Sequence, residues 1–215
     1  MVSSQEQRLQ PYLHNMKTFK ELQEHTIHYF DMDDTLFSHA DRTGVLVHSP
    51  DRKNVKRLTS AQLADRRKQP GEKYDWSEFK SAEHFKKSAR PIHPMIKKLA
   101  QTSKRAKVEI LTGREDLDNQ ESFSKTLAHH GIDTDKVHVR RVGNMKDSRT
   151  TAQRKAHYIS QAINKHGHKT VHMYDDSKEN LKAFMGLRAL HPKVMFHAHH
   201  VVINNKGKVQ LKRHI

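Results

Sequence analysis

The stretch Thr26-Ile-His-Tyr-Phe-Asp31-Met-Asp-Asp-Thr35 decides how this chain reads. Five β-prone residues run straight into a cluster of carboxylates. The pattern returns at Thr170-Val-His-Met-Tyr174, which ends in Asp175-Asp176. Working outward, Lys107-Val-Glu-Ile-Leu-Thr112 predicts a second strand turning at Gly113, and Val137-His-Val-Arg140 a third. Helical patterns lie between them. Ile92, Met95, Ile96 and Leu99 recur at helical spacing after Pro91-Ile-His-Pro94, and a helix is expected over 117–130, stopped by Gly131. Ala152, Ala156, Ile159 and Ile163 form an apolar stripe over 150–165, and Leu181, Phe184 and Leu187 mark a further helix. Val194-Met-Phe196 opens a last strand, and Asn204-Asn-Lys-Gly207 predicts a terminal hairpin turn. Strands alternating with helices in this way predict an α/β fold, a central parallel sheet covered on both faces. Such sheets bind ligands at the carboxyl ends of their strands. Asp31, Asp33, Thr112, Asp175 and Asp176 are therefore expected to meet at one rim.

The 215 residues suit one domain of this type. Residues 1–25 predict a helical or partly disordered lead-in. Residues 38–90 are polar, charged and broken by turn signals at Ser49-Pro50-Asp51 and Gln69-Pro70-Gly71, and they predict a small insertion after the first strand. The absence of cysteine excludes disulfides, thiolate nucleophiles and zinc sites built on sulfur. No run approaches the roughly 18 apolar residues of a membrane span, so a soluble, cytoplasmic protein with no membrane partner is expected. Forty Lys and Arg against 24 Asp and Glu leave a formal charge of +16, beside 19 His. That excess points to a polyanionic partner, nucleic acid first. Charge alone does not separate binding such a partner from acting on it.

Four carboxylates, Asp31, Asp33, Asp175 and Asp176, on one edge repel each other unless a cation sits among them. Oxygen ligands of this kind suit Mg²⁺, a hard ion held by few protein groups plus phosphate. The plainer alternative is that Asp-Asp after a strand marks a turn or a helix cap. Two such clusters, each after an apolar strand, favour the cation.

Phe30-Asp-Met-Asp-Asp-Thr-Leu36 resembles motif I of the haloacid dehalogenase (HAD) superfamily, Asp-x-Asp-x-Thr after a hydrophobic strand. Ile110-Leu-Thr-Gly-Arg114 is similar to its motif II, Lys155 is placed like motif III, and Tyr174-Asp-Asp176 resembles motif IV. The four stand in the family's order over about 26–190, and the unmatched 38–90 lies where that superfamily grows a cap or substrate-recognition insert. The resemblance implies a three-layer Rossmann-like HAD fold and a Mg²⁺-dependent phosphoric monoester hydrolase. Asp31 resembles the nucleophile that forms an aspartyl-phosphate. Asp33 resembles the general acid that protonates the leaving oxygen and later activates water. Thr112 and Lys155 would hold phosphoryl oxygens. Asp31, Asp175 and Asp176, with the backbone carbonyl of Asp33, resemble the metal site.

A narrower resemblance rests on Gly113-Arg114, Arg140-Arg141, and Asp147-Ser-Arg149 followed by Lys155. This set is similar to the 3′-phosphatase domain of polynucleotide kinase-phosphatases, enzymes of nucleic-acid repair. It implies a nucleic-acid or nucleotide 3′-phosphate as substrate, with Gly113, Arg114, Arg140, Arg141 and Arg149 as substrate-binding residues. Position 34 is Asp where that subfamily usually has Gly. No Gly-x-x-x-x-Gly-Lys-Ser/Thr occurs, since Gly167-His-Lys-Thr170 lacks the upstream Gly.

Residues 36–107 hold 18 Lys and Arg against 7 Asp and Glu, a net of +11 that supplies most of the chain's excess. Arg52, Lys53, Lys56, Arg57, Arg66, Arg67 and Lys68 suit phosphates without reading sequence. Tyr74, Trp76, Phe79 and Phe85 lie nearby, either stacking on exposed bases or forming the insertion's own small core. His197, His199 and His200, and the pair His166 and His168, read as surface or core histidines rather than metal ligands. Alternation along a strand places His197 and His199 on one face. Two alternatives stand beside the phosphatase: a 5′- or 3′-nucleotidase on free nucleotides, and a non-catalytic nucleic-acid-binding module on the same scaffold. The Asp31/Asp33 pair argues against the last, since a binder needs neither acid.

Overall fold

Ile27 and Tyr29 of β1 (Thr26–Phe30) enter one apolar layer and Phe30 the other, because successive side chains of a strand face opposite sides. That alternation puts β1 at the centre of the fold. The computed structural model describes residues 25–38, 42–59, 62, 66–204 and 208–214. The lead-in expected over 1–25 lies, His25 apart, outside the described residues. After β1 come β2 (Phe37–Ser38), β3 (Val45–His48), β4 (Val55–Leu58), β5 (Lys73–Asp75), α1 (Ser77–Lys80), α2 (Ala82–Ser88) and β6 (Arg90–Pro91). The chain continues through α3 (His93–Thr102), β7 (Lys107–Thr112), α4 (Gln120–His129) and β8 (His138–Arg141). It ends with α5 (Thr151–His166), β9 (Thr170–Asp175), α6 (Lys178–Gly186), β10 (Met195–Ile203) and β11 (Val209–His214).

Six strands form one sheet in the order β11-β10-β9-β1-β7-β8, parallel except for β11. Ala156, Ile159 and Ile163 of α5, with Leu181 and Phe184 of α6, cover the face presented by Ile27, Tyr29, Val171, Met173 and Phe196. Met95, Ile96 and Leu99 of α3, with Phe123 and Leu127 of α4, cover Phe30, Val108, Ile110 and Tyr174 on the other. The result is an α/β fold of helix, sheet and helix, Rossmann-like in arrangement. Each large apolar side chain buried in these layers contributes roughly 1.5–3 kcal/mol. The chain leaves β1 for β7 on one side and later returns to β9 on the other, so the strand order reverses beside β1.

Three expectations need correction. The sheet is not wholly parallel, because β10 and β11 are joined by a short connection, which only an antiparallel pair allows. Of the turn expected there, 205–207 lie outside the described residues, though Ile203 pairs with Val209 across it. The helix expected over 117–130 begins only at Gln120, because the Asn119 side chain accepts the Ser122 N–H at 2.9 Å and caps it.

The insertion expected over 38–90, where the sequence shows turn signals but predicts no strand, carries its own small sheet, β4-β3-β5, antiparallel throughout. Its entry and exit lie side by side, where Phe37 pairs with Pro91 and Ser38 with Arg90. Buried Glu78 ties it together by accepting Gly44 N at 2.9 Å and both Nε and Nη2 of Arg57. The insertion is fastened to the main sheet's loops: Asp118 N donates to Lys80 O at 2.8 Å and Ala82 N to Asp118 Oδ1 at 2.7 Å. Phe85 is fully buried between Phe37 and Phe123, at ring distances of 5.2 and 5.1 Å.

Candidate active site at the carboxyl edge of the sheet

Asp31 follows β1 and Asp175 ends β9, and the two strands are hydrogen-bonded neighbours whose ladder Asp31 N extends to Tyr174 O at 2.9 Å. Adjacent parallel strands bring the two carboxylates to one rim with no further device. Between them stands Lys155. Its Nζ donates to Asp31 Oδ1 at 2.5 Å and to Asp175 Oδ2 at 2.8 Å, and the lysine is 1% exposed. The helix that delivers it, α5, is tightly specified. Thr150 and Gln153 form a reciprocal capping box at its start, and Gly167 at φ 65° closes its end in the left-handed conformation. Lys155 lies in register with buried Ala152, Ala156, Ile159 and Ile163, so the stripe that packs α5 on the sheet also drives the ammonium into the rim.

Asp175 is fully buried. Its Oδ1 accepts Ser177 N at 2.9 Å and Asn180 Nδ2 at 2.9 Å, and its Oδ2 accepts Asn180 Nδ2 at 3.1 Å beside Lys155. Asp176 accepts Thr35 Oγ1 at 3.4 Å on Oδ1 and His200 Nε2 at 2.9 Å on its backbone carbonyl. Oxygens of Asp31, Asp175 and Asp176 all lie within 4.8 Å of one another, the one such convergence of three metal-type side chains among the described residues. Among the described residues the histidines form no comparable set.

Electrostatics explain why this trio suits a cation. Burial would depress the Lys155 ammonium, but Asp175 and Asp31 outweigh it and hold its pKa above the ordinary lysine range. One ammonium opposes one of three negative charges. Burial therefore pushes the Asp31 carboxyl well up against the pull of Lys155, and Asp175, Asp176 and Asp33 push the same way. Burial, then Asp175 and Asp34, raise Asp176 to about 7. The donor set, hard carboxylate oxygens that one ammonium does not balance, fits Mg²⁺.

Asp33 goes elsewhere. Its carboxylate accepts Arg114 Nη2 at 2.7 Å and Nε at 3.0 Å, while Arg114 Nη1 donates to Phe79 O at 2.9 Å. The guanidinium is buried, with the Phe79 and Phe85 rings at 4.9 and 5.2 Å. Arg114, expected to hold substrate, thus joins the side chain of Asp33 to the insertion. Thr112 is fully buried at the end of β7, where its hydroxyl accepts Arg114 N at 3.2 Å. At Gly113 a Cβ would stand 2.8 Å from Thr151 Cγ2 at the start of α5, so a larger residue there would have to displace that side chain. Asp34 occupies the left-handed region at φ 56°, where Gly fits without strain and Asp is tolerated.

The remaining arginines divide. Arg141 pairs in register with Thr112, donates to Gln120 Oε1 at 2.8 Å and lies over Phe123 at 5.2 Å. Arg140 instead faces Glu109 at 3.6 Å, away from the carboxylate trio. Arg149 closes on Asp147 at 2.6 Å. The sequence reading missed Asn180 and His200. The string Asp175-Asp-Ser-Lys-Glu-Asn180 carries a signal for the first, a capping Ser177 that starts α6 and sets Asn180 back over Asp175. Compared with family models, curated proteins and solved structures, the chain matches none.

Proposed function

We propose that the chain is a HAD-type phosphatase that hydrolyses phosphoric monoesters on nucleic-acid ends or nucleotides, with a 3′-phosphate as favoured target. The observation that supports this most is Lys155 bridging Asp31 and Asp175 at the edge where Asp176 also converges. Structural ion pairs rarely gather three carboxylates about one buried lysine, because uncompensated buried charge is costly. Asp31, Asp175 and Asp176 would hold Mg²⁺, which when bound screens the carboxylates from an anionic substrate and offsets charge on the transferring phosphoryl group.

The chain's own groups supply the rest. Lys155 fixes Asp31 through Oδ1 and leaves Oδ2 for phosphorus. An Oδ2–P bond forms as the ester P–O bond breaks, giving an aspartyl-phosphate and an alkoxide. Asp33 gives that alkoxide its proton, then takes one from the water that attacks phosphorus, releasing phosphate and restoring Asp31. In the present arrangement Asp33 is a carboxylate accepting a guanidinium fork, the state of a base. Its turn as acid requires Arg114 to loosen. On this reading Thr112, Lys155 and the Gly113 backbone would receive phosphoryl oxygens.

Oligonucleotides and mononucleotides carrying 3′- or 5′-phosphate, compared for phosphate release, test the substrate. The reading expects release from 3′-phosphorylated oligonucleotides above all others. Preference for free nucleotides would replace it with the nucleotidase, and release from none of them would overturn it.

A further inference from the structure

The insertion holds a groove of about 570 Å³ between β5, α1 and the turn after β3, lined among others by Arg52, Lys73, Tyr74, Trp76 and Lys80. Ordinary small-ligand sites measure roughly 300–1,000 Å³. Trp76 is 42% exposed, its ring tilted against Phe79 at a ring distance of 5.9 Å. Large apolar side chains are normally withdrawn from water, and Phe85, nine residues on, is fully buried. Arg52 and Lys73 carry no ion pair among the described residues, whereas Arg57, Arg66 and Lys80 each have a carboxylate partner. The groove also holds one carboxylate, Asp75, which faces His48 at 3.9 Å, accepts Ser77 N at 2.8 Å and forms no ion pair with Arg52 or Lys73.

A part-exposed indole beside two cations that form no ion pair suits a single nucleic-acid strand. Bases present a π-face whatever their sequence, and phosphates follow the charge. The groove also adjoins the rim. Helix α1 lends Trp76, Ser77 and Lys80 to it or its border, and the Phe79 carbonyl in the same turn holds Arg114, the partner of Asp33. Lys80 reaches Glu115, next to Arg114, at 2.9 Å.

We propose that this groove seats a single-stranded segment of the substrate, one base stacked on Trp76 and neighbouring phosphates on Arg52 and Lys73. The proposal rests on the phosphatase reading only for what the bound strand is used for. The groove would make the enzyme prefer polynucleotides over mononucleotides.

Trp76 is the only tryptophan, so its emission reports on the groove directly. The full chain is titrated with a fluorescent-labelled oligothymidylate lacking terminal phosphate, with EDTA present, while tryptophan emission and label anisotropy are followed together. Quenching that tracks the anisotropy isotherm is expected. Arg52→Ala with Lys73→Ala should flatten the slope of log K against log salt by about 1.4, two single-strand phosphate contacts at roughly 0.7 each. Trp76→Ala should weaken anisotropy-monitored binding by roughly ten- to a hundredfold, and Trp76→Phe, which keeps a ring, by much less. Hydrolysis of a small aryl phosphate should be unchanged in all three variants, which shows that the rim is folded. Binding without quenching, no binding, or equal quenching by a blunt duplex each overturns the proposal. Failure of the native chain to hydrolyse the aryl phosphate would overturn the phosphatase reading and leave the groove result standing.

Discussion

Two places in this fold crowd ionisable groups of one kind, and they manage their charge by opposite means. At the carboxyl edge, Asp31, Asp175 and Asp176 converge around Lys155. Lower on the same strands, the register aligns His28, His172 and His197 in one row across β1, β9 and β10. Their rings stack at 4.2 and 4.5 Å, and His199 extends the stack onto Tyr174 at 4.3 Å while its Nε2 meets His172 Nδ1 at 3.1 Å. The groups facing this row are themselves basic. Burial first, then neighbouring histidines and Lys98, push His28 down to about 4 and His172 to about 3. Burial, then Lys98, His197 and Arg213, push His199 to about 4. The imidazoles pack because they shed their protons. Burial pushes the carboxylates toward their neutral forms as well, Asp176 to about 7, but here the fold sets a buried ammonium against two of the three. The difference is that the carboxylates are given a counter-charge and the histidines are not.

The strongest way to break this contrast is Lys155→Met. It strands buried carboxylates without a counter-charge and should cost about 3–5 kcal/mol in urea unfolding at neutral pH. Adding Asp175→Asn to the same chain should restore part of that loss. An unchanged midpoint in the single variant would mean that the lysine compensates nothing.

Next in size is the cation itself. Mg²⁺ binding only the folded chain should stabilise it by about 2.7 kcal/mol at a hundred times its dissociation constant. Thermal unfolding should shift upward with Mg²⁺ in the native chain and in His172→Gln, and not in Asp176→Asn.

The histidine row sharpens the contrast through pH. With folded pKa values depressed below the unfolded value, the unfolded chain binds more protons in the interval between them. The row's stability is therefore complete above about pH 6.5 and is lost as pH falls towards 4 and then 3. Unfolding free energy measured across that window should decline less steeply in His172→Gln. An equal slope in both chains would remove the histidines from the account.

The smallest effect concerns Asp34. Replacing it by Gly relieves a left-handed residue worth roughly 1–2 kcal/mol and removes a negative charge that helps raise Asp176. The variant should be slightly more stable, and the Asp176 carboxyl, followed by NMR, should titrate below about 7.

Much of this was legible beforehand, for identifiable reasons. β1, β7 and β9 are apolar runs stopped by Asp or Thr, and parallel pairing carries those stops to one edge. Lys155 interrupts an apolar helical stripe at a buried position, a local signal that a lysine is being driven inward. The Arg114–Asp33 fork was not legible as such: it joins residues 81 apart in sequence, and Gly113-Arg114 reads as well for a substrate ligand as for a brace. The insertion's sheet was hidden because Val55-Lys-Arg-Leu58 exposes three of its four residues and has no apolar alternation to betray a strand. Nor does composition distinguish Trp76, open to solvent, from Phe85, sealed in the core; that difference arises only when α2 packs on α4.

The central claim is that Asp31 attacks phosphorus in a Mg²⁺-dependent reaction. Its most direct test is hydrolysis of a small aryl phosphate by the native chain and by Asp31→Asn, each with and without Mg²⁺. The account predicts turnover in the native chain with Mg²⁺ alone, falling to background in Asp31→Asn while the fold, read by circular dichroism, is retained. Undiminished hydrolysis by a folded Asp31→Asn would contradict it.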